Sequence, residues 1–143
     1  MNVRNREMKT RLLVVPSVWL GLSFASAELP PDVYKADQAR SPEALVIKVS
    51  RVEIEKKSDS QATRSKILAN AKVLEVKRSA SNLRPGDVIR VAYTHLQHRQ
   101  PMAGPSQPDF LQQNRTYPAF LVKDEKTGTY GLAARGYSFR LAR

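Results

Sequence analysis

Two consecutive apolar runs change phase partway along, and this restricts the available folds more than any other feature of the chain. Leu45, Ile47 and Val49 occupy odd positions, and Val52 and Ile54 then continue on even ones. The next run repeats the behaviour, with Ile67, Ala69, Ala71 and Val73 odd and Leu74 and Val76 even. Strand side chains alternate between faces with a period of two, so a one-residue phase change moves the apolar set to the opposite face. A β-bulge inserts one residue, restores a single buried face, and bends and twists the strand. One bulge is expected near Ser50-Arg51 and a second bend where the later run switches. Long bent strands are what a small closed barrel needs where one strand serves two sheets.

The remaining segments follow from turn chemistry. Glu28 to Ser41, with Pro30-Pro31, reads as a lead-in arm (residues 28–43 up to the domain) carrying one helical turn near Val33 to Ala39, and Lys56 to Arg64 reads as a polar loop. In Leu83-Arg84-Pro85-Gly86-Asp87, Pro85 presets φ at the first central position and Gly86 supplies the positive φ that a type II turn requires at the second. Ile89, Val91 and Tyr93 form a third strand, facing opposite to Arg90 and Thr94. His95 to Arg115 contains Pro101, Pro105 and Pro108 and reads as a long loop with a short helix over 108–113 capped by Ser106. A fourth strand covers Thr116 to Lys123, with Pro118 at an edge or bulge. A fifth starts at Thr129 and bends at Gly131 and Gly136 before Tyr137 and Phe139. The pattern predicts an all-β domain over 44–143: a small five-stranded Greek-key barrel, OB-like, with one short helix between strands 3 and 4. An open β-sandwich is the alternative.

Residues 1–27 read as a cleaved signal peptide. Arg4, Arg6, Lys9 and Arg11 give a basic start, Leu12 to Phe24 carries no charge, and Ala25-Ser26-Ala27 supplies the small residues of a cleavage site. An apolar run this short reaches only about 20 Å as a helix, less than the roughly 30 Å hydrocarbon core. The product expected is a soluble protein with no membrane span, beginning at Glu28, periplasmic or secreted from a bacterial envelope. Its 143-residue precursor has a net charge of +11; losing those four basic residues and Glu7 leaves +8.

The run Ala71-Lys72-Val73-Leu74-Glu75-Val76-Lys77, the Leu83-to-Asp87 turn, Val88-Ile89-Arg90-Val91 and Tyr117-Pro118-Ala119-Phe120-Leu121 resemble the netrin-module/metalloproteinase-inhibitor-like OB domains, over roughly residues 44 to 139. The resemblance implies an OB barrel and a binding role rather than catalysis. Inhibitors of that family chelate a protease zinc through an N-terminal Cys. This sequence has no Cys, and its expected mature terminus is Glu28, so no functional residue is carried over.

Catalytic chemistry is poorly provided for. Zero cysteine removes thiol catalysis, disulfides and Cys-ligated metals. There is no G-x-S-x-G, and Gly86 alone makes no phosphate-cradling loop. His95 and His98 are the only histidines, one or two ligands short of a zinc site, and read as exposed loop residues. Glu53 and Glu55 share a strand face with Arg51, the pattern of an ion-paired stripe. The expectation is a non-enzymatic protein without metal or cofactor.

Charge is the one feature that leans towards a function. Residues 64–99 hold eight basic and two acidic side chains, whereas 28–63 hold six and seven. With Ile67 to Val73 and Ile89 to Val91 facing in, antiparallel pairing gathers Lys66, Lys72, Lys77, Arg78, Arg84 and Arg90 on one outer surface. That surface is expected to bind an anionic envelope polymer (lipopolysaccharide phosphates or an anionic glycan) or an acidic protein. Nucleic acid is not expected, because the segment's only aromatic, Tyr93, points inward. The alternative is a structural or protein-interaction domain using Leu96, Met102, Phe110 and Leu111 of the long loop.

Overall fold

The computed structural model describes residues 28–101 and 104–143; the leader expected over 1–27 and Met102 lie outside the described residues. The elements are α1 (Pro31–Arg40), β1 (Glu43–Ser58), β2 (Ala62–Ser79), β3 (Val88–His98), β4 (Thr116–Lys123), β5 (Tyr130–Leu132) and a 3₁₀ turn, Arg135–Tyr137. The strands form one sheet in the order β1-β2-β3-β5-β4, and β4 pairs back onto β1, so the sheet closes on itself. All its pairings are antiparallel except that of β3 with β5, which meet in parallel at Val91 and Tyr130.

Bulges resolve the phase changes. Val49 faces Ala71 and Arg51 faces Asn70, so Ser50 is the inserted residue on β1. On β2 the register skips Leu74, between the pairs Ile47–Val73 and Val46–Glu75, and skips Lys77, between Leu45–Val76 and Ala44–Arg78. One continuous inner face results. Leu45, Ile47, Val49, Ile67, Val73 and Val91 are all within 2% of complete burial. Each such side chain contributes about 1.5–3 kcal/mol by leaving water. Two residues of the expected core fall outside it. Leu74 is itself an inserted residue and stays 43% exposed. Ile54 shares the inner phase, but β4 covers β1 only as far as Lys48, so Ile54 projects past the closed part and is 45% exposed.

The Pro85-Gly86 turn forms as expected, with Gly86 at φ +100° and Asp87 N–H donating to the Arg84 carbonyl at 3.1 Å. β4 has the expected bounds. Pro118 pairs with Val46 on one side, and β5, which reaches only Leu121 to Lys123, leaves its other side open, so the missing N–H disrupts no ladder.

Several expectations need correction. The polar stretch Lys56 to Arg64 is mostly strand, closed by a tight turn in which Asp59 Oδ1 accepts the N–H groups of Gln61 and Ala62, both at 2.8 Å. The arm is a docked helix: Tyr34 is 1% exposed and stacks on Tyr137 at 4.2 Å, and Gln38 Nε2 donates to the Tyr137 and Arg140 carbonyls. No helix forms over 108–113. The Leu111 N–H donates to the Tyr93 hydroxyl, and that hydroxyl donates to the Asp109 carbonyl, so these peptide groups bond to β3 rather than to one another. Ser106 caps nothing; its N–H donates to the Tyr34 hydroxyl and its Oγ to Glu28. β5 is only three residues long; the chain leaves the sheet after Leu132 and enters the 3₁₀ turn Arg135–Tyr137, where a Cβ on Gly136 would stand 2.0 Å from the Ser106 carbonyl oxygen.

Candidate interface on the outer face of the sheet

Register defines what the outer face of β1, β2 and β3 carries. The inner residues Ile67, Ala69, Ala71 and Ile89, Val91, Tyr93 leave the intervening positions pointing out. Across the three strands these fall into rows: Lys57–Arg64–Leu96, Glu55–Lys66–Thr94, Glu53–Leu68–Ala92, Arg51–Asn70–Arg90 and Lys48–Lys72–Val88. Rows are two residues apart, roughly 6–7 Å along the strands.

At one end, Lys48 and Lys72 face each other directly across β1 and β2. Like charges in that position are destabilising. Arg51 and Arg90 stand in the adjoining row on either side of Asn70. Arg51 is bridged to Glu53 at 3.1 Å, and Lys57 to Glu55 at 3.2 Å, which realises the ion-paired stripe. Lys48, Arg64, Lys66, Lys72 and Arg90 are exposed, and none pairs with an acidic side chain among the described residues. In the middle of the face, a hollow of about 650 Å³ lies over Leu68 and Ala92; Glu53, Glu55, Lys66 and Thr94 line it as well, together with Ile54, Ile67 and Tyr93 of the row between them.

Of the six cations singled out from sequence, Lys72 and Arg90 come together, and Lys66 lies on the same face at the edge of the hollow. Lys77 is an inserted residue towards the other end of β2, and Arg84 sits in the turn before β3. Arg78 points elsewhere: its Nε donates to the Ser41 carbonyl at 2.7 Å and its Nη2 to the Gln38 carbonyl at 2.9 Å, tying β2 to the end of α1. Lys48, Arg51 and Arg64, outside that set of six, share the face. The basic residues of β1 and of the supposed Lys56-to-Arg64 loop join the face only once the hairpin register and the Ser50 bulge are known.

The long loop covers one end of the sheet. Leu111 is 3% exposed within the core, and Phe110 lies over His95 with ring centroids 4.2 Å apart. His95 and His98 are not loop residues; both belong to β3, and three positions along a strand they point to opposite faces, so they cannot share a metal. Burial pushes the His95 imidazole below its usual value. Leu96 stands on the outer face beside Arg64. No group of three or more His, Asp or Glu side chains placed to hold a metal occurs among the described residues. No helix among them is long and apolar enough to cross a membrane.

No protein family, no curated protein and no solved structure matches this chain.

Proposed function

We propose that the chain is an exported, non-enzymatic binding module built as an OB-type Greek-key barrel, and that the outer face of β1 to β3 takes an anionic or acidic partner. The strand order, the two long bulged strands and the parallel β3–β5 closure support the barrel type. Export rests on the basic, apolar and small-residue succession over residues 1–27. The observation that carries the binding role is the facing pair Lys48 and Lys72 with Arg51 and Arg90 in the next row. Folding places Lys48 and Lys72 side by side at an energetic cost, and an anion relieves that cost on binding. The attraction is Coulombic and is screened within about 8 Å at physiological salt.

The test is retention on a polyanion column as a function of salt. The double variant Lys72→Glu/Arg90→Glu is expected to lose retention at 0.15 M salt, a concentration at which surface attraction is still felt, while keeping its β circular dichroism. Retention unchanged by that double substitution would remove the proposal.

A further inference from the structure

We infer that the partner of this face is an extended acidic peptide segment with one apolar side chain, anchored in the hollow over Leu68 and Ala92. The inference rests on the anionic-partner reading and narrows it to a chemistry. Along β2 the outer face reads Arg64, Lys66, Leu68, Asn70, Lys72, with Arg90 of β3 beside Asn70. The apolar floor is thus flanked by cations two and four residues away on one side. On the other side, cations stand in the second and fourth positions by way of Arg90 and Lys72. At about 3.3 Å per residue these distances are roughly 7 and 13 Å, the spacing of alternate side chains in an extended peptide. Such a strand-like segment, lying along the β2–β3 seam, sets one apolar side chain on Leu68 and Ala92 and its alternate carboxylates on the cations.

Glu53 and Glu55 stand on β1, to the side of that seam, and each is already bridged by its own neighbour, Arg51 or Lys57. They disfavour a uniform polyanion spreading over the whole face but leave the seam positive. None of the outward residues in the five rows is aromatic. Sugars and bases lose their usual stacking platform, whereas an aliphatic peptide side chain needs only the Leu68–Ala92 floor and the 650 Å³ above it.

The experiment uses fluorescence anisotropy of the purified protein with a labelled peptide, Asp-Ser-Asp-Ser-Leu-Ser-Asp-Ser-Asp, which reads the same in both directions. The comparison probe replaces its Leu by Ser at equal charge, and polyphosphate serves as competitor. The Leu peptide is expected to bind at least tenfold more tightly than the Ser peptide. Ala92→Gln, which fills the hollow with an uncharged polar chain on a half-exposed position, is expected to erase that difference, as is Leu68→Ser; a thermal melt confirms that each variant is folded. Lys72→Glu/Arg90→Glu is expected to weaken both peptides. Equal binding of the two peptides, indifferent to Ala92→Gln and displaced by polyphosphate, overturns the anchored-peptide inference while leaving an anion-binding face in place. Absence of binding by both peptides and polyphosphate overturns the anionic-partner reading and this inference with it.

Discussion

The Tyr93 hydroxyl accepts the backbone N–H of Leu111 at 3.0 Å and donates to the carbonyl of Asp109 at 2.8 Å, so one β3 side chain fixes the loop that closes the end of the sheet. Burial raises the phenol to about 12, which keeps it protonated and able to donate throughout the physiological range. Tyr93→Phe leaves the ring and removes both bonds, stranding a buried N–H. It is expected to destabilise the fold by about 1–3 kcal/mol. Chemical denaturation measures this, and hydrogen exchange at Leu111 should rise more than at Val91.

Gly136 is required by proximity. A Cβ there stands 2.0 Å from the Ser106 carbonyl oxygen and 2.4 Å from its carbon, both backbone atoms that cannot swing aside. Gly136→Ala is expected to cost at least the 1–3 kcal/mol or so typical of overpacking, read as a lowered melting temperature. A control at Gly104, where a Cβ meets nothing within 4 Å, should be near neutral.

Arg78 separates stability from binding. Its two bonds to the Gln38 and Ser41 carbonyls tie the C-terminal end of α1 to β2. Arg78→Ala is expected to destabilise by about 1.5–3 kcal/mol, because hydrogen bonds from a charged donor are lost. Its effect on polyanion retention should be far smaller than that of Lys72→Glu, although each substitution removes a cation from the same strand.

His95 gives the fold a pH dependence of defined sign. Burial beneath Phe110 holds its pKa below the ordinary value of 6.5, and its Nδ1 has no hydrogen-bond partner. The neutral ring is the one the fold prefers. Its contribution is therefore complete above the unfolded pKa and is lost as pH falls through the lower, folded value. Acidification from pH 7.5 to 5 should lower the melting temperature of the wild type more than that of His95→Phe, with the imidazole titration followed by NMR.

The phase changes at Ser50 and after Val73 announced two bulged strands, and the Pro85-Gly86 pair announced its turn, because each is a local rule of backbone geometry. Only one turn of α1 is legible in the sequence, since its apolar side is little more than Tyr34 and what holds it is Gln38 reaching the Tyr137 and Arg140 carbonyls about a hundred residues away. The helix expected over 108–113 failed for the complementary reason: Tyr93 and Tyr117 offer hydroxyls to the N–H groups of Leu111 and Gln112, and those distant partners displace the local ones.

The candidate interface divides along the same line. Alternation alone put Lys66, Lys72 and Arg90 on the outside, for an inward Ile67, Val73 or Val91 dictates the direction of its neighbours. Which cations then stand together was fixed by strand register. The Ser50 bulge sets Lys48 opposite Lys72, the Gln38 and Ser41 carbonyls draw Arg78 away, and the pairing of β2 with β3 places Leu68 beside Ala92 between them. Direction out of a strand is a property of two adjacent residues. Neighbourhood across strands depends on where each chain segment begins its pairing, which only the closed sheet decides.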